Sequence, residues 1–144
     1  MSKPSHRWMF CVLVIAGVYN LVWGAWVVLF PTLSFSYSGM LDPDKPLHYP
    51  QLWQAIGMIV GVYGVAYIFA GHDPVRHWPI VLVGFLGKFF GPVGLAFGVA
   101  TGEARLEGLI TCATNDLIWW VPFGLILRHA YLASQVSRAT PPVA

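Results

Sequence analysis

Charge is what this chain has least of. Only 10% of its 144 residues are Asp, Glu, Lys or Arg, against roughly 25% in an ordinary soluble domain, which leaves too little polar surface to face water on every side. Cysteine is nearly as scarce: there are two, Cys11 and Cys112. They fall toward opposite ends of two apolar stretches, most of a membrane thickness apart, whereas a disulfide needs Cα atoms within ~7 Å, so no pairing is expected. The absence of Cys-x-x-Cys argues against thiol redox chemistry. Gly-x-Ser-x-Gly, His-Glu-x-x-His and phosphate-binding loops are also missing, and no catalytic residue is assigned.

Histidine is absent from every apolar stretch. His6, His48, His72, His77 and His129 lie at ends or in links, while a membrane haem needs an imidazole inside a span; no cofactor is expected. His72, Asp73 and His77 together offer two imidazoles and a carboxylate, but their spacing does not suit one helix face, and Asp42, Asp44 and His48 make no better set. No metal site is assigned. A net charge of +2 spread over so few charges provides no nucleic-acid patch.

What the chain has instead is apolar length. Hydrophobic residues make up 57%, concentrated in stretches 8–30, 52–70, 79–100 and 109–127, each close to the ~20 residues that cross a bilayer core as a helix. Lipid cannot satisfy an open backbone, and no stretch alternates as a barrel strand does. The expected fold is all-α: one integral membrane domain over residues 1–144, a bundle of four transmembrane helices with a disordered tail from about 136 to 144. Lys3 and Arg7 precede the first stretch as they would in a secretory signal, but its length exceeds the roughly 7 to 15 residues of a signal core, so it is read as an anchor.

The links set the orientation. Four spans place Lys3, Arg7, Arg76, Arg128 and Arg138 on one side, and Lys45 and Arg105 on the other with Asp42, Asp44, Glu103 and Glu107. That bias puts both termini in the cytoplasm, and the expected location is a bacterial cytoplasmic membrane. The link 31–51, rich in Pro, Ser and Asp, is long enough to form an outer lid. The inner link 71–79 is short: Gly71 can end the second helix, Asp73 before Pro74 suits a turn, and Pro79 suits a first helical turn. Trp8, Trp53 and Trp78 sit at helix ends, where an amphipathic ring prefers the headgroup level; Trp119 and Trp120 lie well inside the fourth stretch.

Glycines 84, 87, 91, 94 and 98 recur at intervals of 3, 4, 3 and 4, which clears one side of the third helix for close approach of another backbone. Gly57, Gly61 and Gly64, and Gly17 with Gly24, offer further smooth faces. These glycines are read as packing helices within one subunit, with a homo-oligomer seam or a membrane-protein partner as the alternative.

Within this apolar frame, Lys88 and Asp116 stand out. A rise of 1.5 Å per residue places Lys88 roughly 15 Å above the inner face and Asp116 about 18 Å above it. A lone charge at that depth costs at least ~2.5 to 3.5 kcal/mol, which pairing shares, so a Lys88 to Asp116 contact is expected. Asn20 and Tyr63 reach the same depth. Asn115 adjoins Asp116, with Trp119 and Trp120 as walls of a small polar chamber. Pro92 and Pro122 cannot donate to the carbonyls of Lys88 and Ile118. Two roles compete for Lys88, Asp116, Asn115, Asn20, Tyr63, Trp119 and Trp120: fixing helix register, or binding.

Gly17, Asn20, Gly24 and Pro31, together with the string GMIVGVYG of the second stretch, resemble the DoxX-like group of small four-helix bacterial membrane proteins. The strings DPVRHWPIVLVGFLGKFFGP and TNDLIWWVPF are similar to those of bacterial membrane proteins without an assigned role. The resemblance implies an accessory or redox-associated membrane subunit and carries over no catalytic residue. From the residues themselves the expected function is non-catalytic: binding of a partner or a small amphipathic ligand at the Lys, Asp, Asn and Trp cluster. A proton-coupled solute transporter and an accessory subunit of a membrane oxidoreductase are the alternatives.

Overall fold

The computed structural model describes residues 4–39 and 47–139. All regular structure among them is helical: α1 (Pro4–Leu29), α2 (Pro31–Tyr37), α3 (Pro50–Gly71), α4 (Trp78–Ala100), α5 (Gly108–Asn115) and α6 (Trp120–Ala139), with a 3₁₀ turn at Leu117–Trp119. Four stretches are long and apolar enough to cross a membrane: Arg7–Leu29, Pro50–Gly71, Trp78–Ala100 and Gly108–Gln135. Large apolar side chains cover the outside, among them Ile110, Val121 and Phe97, each about 70% exposed. A surface of that kind is intolerable in water and ordinary against lipid, so these are the features of an integral membrane protein.

Local sequence explains where the helices begin and end. Prolines occupy the first turns of α2, α3 and α4, where a missing N–H is harmless and the fixed φ suits the helix. Past the end of α4, Gly102 takes φ +78; its amide donates to Val99 O at 3.2 Å, and Glu103 N donates to Gly98 O at 2.8 Å. That pair of bonds is a Schellman cap, which favours glycine at the left-handed position. On the inner link, Asp73 Oδ1 accepts from Arg76 N at 3.1 Å, the turn role expected of it. Gly71 ends α3 without a left-handed φ, and a Cβ there would meet Phe10 at 3.4 Å, an ordinary contact.

Two elements depart from expectation. The outer link contains a short helix, α2, and the fourth stretch is not one helix: Asp116 has φ −122 and ψ −54, and the chain passes through the 3₁₀ turn before α6 begins. Pro122 is the third residue of α6, a first-turn position that needs no helical acceptor. A proline read as interrupting one helix therefore marks the start of another. α6 also continues to Ala139, into the segment read as a disordered tail; residues 140–144 lie outside the described residues, as do Asp42, Asp44 and Lys45 of the expected lid.

Packing divides along the membrane normal. α1 and α3 share the most extensive contact in the molecule, made through glycine: a Cβ on Gly17 would meet Gly64 O at 2.6 Å, and one on Gly24 would meet Gly57 O at 2.5 Å. The apolar core fills the half nearer the termini, where Met9, Leu13, Tyr67, Val81, Phe123 and Ile126 are fully or almost fully buried. In the other half α3 and α4 part. Near their shared link Gly84 lies against the Tyr67 ring, but added Cβ atoms on Gly87 and Gly94 would have no neighbour within 4 Å.

Candidate functional site

Where α3 and α4 part, a buried charge of α4 meets one from the turn after α5. Lys88 Nζ of α4 lies 3.4 Å from Asp116 Oδ1, with the two side chains 7% and 11% exposed. Nζ also donates to the carbonyl oxygen of Asn115 at 2.8 Å and to Asn20 Oδ1 of α1 at 3.3 Å. A lysine ammonium has three protons, and three acceptors surround this one. Asn115 Nδ2 donates to Asp116 Oδ1 at 3.0 Å. The helix break at Asp116 has a use here: it turns a backbone carbonyl away from the α-helical ladder and toward the ammonium.

Pro92 leaves the Lys88 carbonyl without its helical donor, and the Trp120 indole supplies one, Nε1 donating to Lys88 O at 2.9 Å. The Trp120 ring also lies against Phe89, 5.2 Å between centroids. Lys88 is thus held at both its backbone and its side chain by the α5–α6 segment. The carboxylate and ammonium are paired and bonded to amide groups, which offsets much of the cost of burying them, while Asn115 Oδ1 is left buried without a partner.

Two cavities adjoin it. The larger, about 680 Å³, lies between the parted halves of α3 and α4 and reaches α5; Gly87, Gly91, Gly94, Trp23, Trp53 and Phe90 line it, with Asn115 and Asp116 at its deep end. The smaller, about 220 Å³, sits at the apex where α3 and α4 begin to diverge and touches Asn20, Tyr63, Lys88 and Asp116. Above the larger cavity α2 is latched to α5: Thr111 Oγ1 donates to Tyr37 O at 3.1 Å and Arg105 N donates to Gly39 O at 3.1 Å. Gly39, with φ +73, packs directly on Gly108. Gly87, Gly91, Gly94 and Ile56 are exposed along the side, so the cavity opens laterally between α3 and α4, while the exposed Glu103 of the α4–α5 link lines its end.

The expected residues divide accordingly. Lys88, Asp116, Asn115 and Asn20 come together, and Tyr63 lines the smaller cavity beside them. The two tryptophans expected as walls line neither cavity: Trp119 packs inward on Phe123 and Tyr19, and Trp120 is a hydrogen-bond donor. Trp23 and Trp53 form the wall instead, edge to face at 5.7 Å. Trp53, expected at headgroup level, is buried and donates to Ser34 Oγ at 2.9 Å; that bond depends on α2, which composition alone did not reveal.

The other candidate groups are engaged elsewhere. His72 meets the Phe10 ring edge-on, His77 lies against Phe69, and Asp73 caps its turn, so the three do not converge. Both cysteines are free thiols: Cys11 is exposed on the lipid side, and Cys112 lines the larger cavity. In the α4–α5 link, two hydrogen bonds from Arg105, at 2.9 and 3.2 Å, hold the exposed Glu107 carboxyl below the usual carboxylate range.

Compared with protein-family models, with curated proteins and with solved structures, the chain matches none. The resemblance to the DoxX-like group thus finds no family match, and function has to be argued from the site.

Proposed function

We propose that the chain is one integral membrane domain of a bacterial cytoplasmic membrane, with both termini on the cytoplasmic side, and that it is a non-catalytic binding protein for a small amphipathic ligand. The single observation that carries this is the larger cavity, about 680 Å³, within the range of small-molecule sites. It has apolar walls and a few convergent polar groups at its deep end, the arrangement that binds and orients an amphipath. The Lys88–Asp116 pair serves as the polar terminus of that site. Ionisable groups at such depth are a functional marker by default, and the lateral opening suits a ligand that arrives from the bilayer.

The test is co-purification. The chain is extracted from native membrane into polymer-bounded discs, and the bound small molecules are identified by mass spectrometry, for the wild type and for the double variant Lys88→Met/Asp116→Leu. The wild type is expected to enrich one class of amphipath that the double variant loses. Identical bound molecules in identical ratios would reduce the pair to scaffolding.

One observation favours a second reading, proton-coupled transport. The fourth span is discontinuous at Asp116, and transporters place their sites where spanning helices are interrupted. Proteoliposomes showing pH-driven solute flux that the same double variant abolishes would establish transport in place of static binding.

A further inference from the structure

The larger cavity specifies the chemistry of its ligand more narrowly than amphipathic. At its deep end the donors are already used. The Lys88 ammonium is surrounded by Asp116 Oδ1, the Asn115 carbonyl and Asn20 Oδ1, and Asn115 Nδ2 is given to Asp116. The hydroxyls along the wall are used as well: Ser38 Oγ donates to Phe35 O and Thr111 Oγ1 to Tyr37 O. One acceptor is not. Asn115 Oδ1 is buried without a hydrogen-bond partner, whereas the Asp116 carboxylate already has Lys88, Asn115 Nδ2 and the Cys112 thiol around it and turns Oδ2 toward Gly91, 3.2 Å from where a Cβ would stand. A molecule that reaches this floor is held only if it brings a hydrogen to donate, because a buried acceptor left unmatched is unfavourable.

Charge selects further. At the deep end Lys88 and Asp116 cancel, so a cationic or anionic head seated there would add an uncompensated charge at midmembrane depth, where even a paired one is expensive; the other carboxylate of the lining, Glu103, lies exposed at the opposite end. A neutral hydroxyl does not. The remainder of the cavity is a trough without side chains along α4. Glycine at 87 and 94 weakens a helix, and no neighbour needs the space it leaves; what it preserves is room beside Trp53 and Phe90.

We infer that the larger cavity takes a neutral, hydroxyl-headed lipid, its hydroxyl donating to Asn115 Oδ1 and its chain lying along Gly87, Gly91 and Gly94. The inference rests on the ligand-binding reading above and names the ligand class of that same site.

The experiment uses the full chain in nanodiscs, in a Cys11→Ser background, with a photoreactive long-chain alcohol and its methyl ether, carboxylic acid and primary amine of equal chain length. Cross-links are mapped by mass spectrometry, and protection of Cys112 from a small permeant maleimide is followed in parallel. The alcohol is expected to modify the cavity walls and protect Cys112 about fivefold better than the ether, the discrimination of roughly one hydrogen bond. Asn115→Leu should erase that difference. Gly94→Leu should abolish labelling by every probe while leaving the melting temperature unchanged or raised. The comparison of head groups is made on the native side chains of the site and stands even if a variant fails to fold. Equal or stronger labelling by the acid, the amine or the ether overturns the hydroxyl assignment while leaving ligand binding intact. If no probe labels the walls or protects Cys112 although the maleimide reaches it, the binding reading falls as well; cross-links between two copies through these walls would overturn both in favour of a protein interface.

Discussion

At the residue scale, the coupling between a proline and a tryptophan is the least expected contact in the molecule. Pro92 and Trp120 do not need to touch to depend on each other: one removes the donor for the Lys88 carbonyl, and the other replaces it. The freed carbonyl was readable from the sequence, because four residues before a helical proline an acceptor always loses its partner. Its new donor was not, since the indole reaches Lys88 only through the turn at Leu117–Trp119, which hydropathy averages away. The coupling is measurable. Trp120→Phe should destabilise by about 1 to 3 kcal/mol, the cost of a buried acceptor left unmatched. In a Pro92→Ala background, where residue 92 regains an N–H able to bond Lys88 O, the same change should cost clearly less. Unfolding in detergent on all four chains of the cycle gives the coupling; a value near zero would show that the indole bond does not stabilise the fold.

At the scale of elements, glycine has two opposite uses. Between α1 and α3 it permits contact: a Cβ on Gly64 would stand 2.6 Å from Gly17 O, closer than such atoms sit, and 3.0 Å from Leu21 Cγ, a tight approach. On α4 the regular spacing predicted the same use, but only part of the stripe has it. Gly84 and Gly91 sit against Tyr67 and Asp116, while Gly87 and Gly94 face open space. Sequence shows which side of a helix is smooth; it does not show whether a neighbour arrives there, because in lipid no general apolar force draws helices together. The two uses separate on substitution. Gly64→Ala should lower stability by about 1 to 3 kcal/mol through overpacking, while Gly94→Ala should raise it by about 0.5 to 1 kcal/mol through helix propensity. Equal destabilisation by the two variants, followed by thermal or denaturant unfolding in detergent, would mean that the trough on α4 is a packed interface.

Across the whole molecule, the four apolar stretches and the level of the charged pair could be worked out from the sequence alone, because bilayer thickness and helical rise turn residue number into depth. That arithmetic placed Lys88, Asp116 and Asn20 together. It could not show that the core packs in one half while the other half parts, since depth says nothing of the angle between helices. The larger cavity is therefore confined to one leaflet, and the orientation of the chain decides which. Under the orientation proposed from the basic bias, with Arg7, Arg76 and Arg128 on the side of the termini and Arg105 on the other, the core half would lie in the inner leaflet and the cavity in the outer. Two exposed link residues report on this, Glu103 at the cavity end and Arg76 on the α3–α4 link. With Cys11 and Cys112 replaced by serine, Glu103→Cys should react with an impermeant maleimide on intact spheroplasts, and Arg76→Cys only after lysis. The reverse pattern would turn the chain over and make the cytoplasmic leaflet the source of whatever the cavity binds.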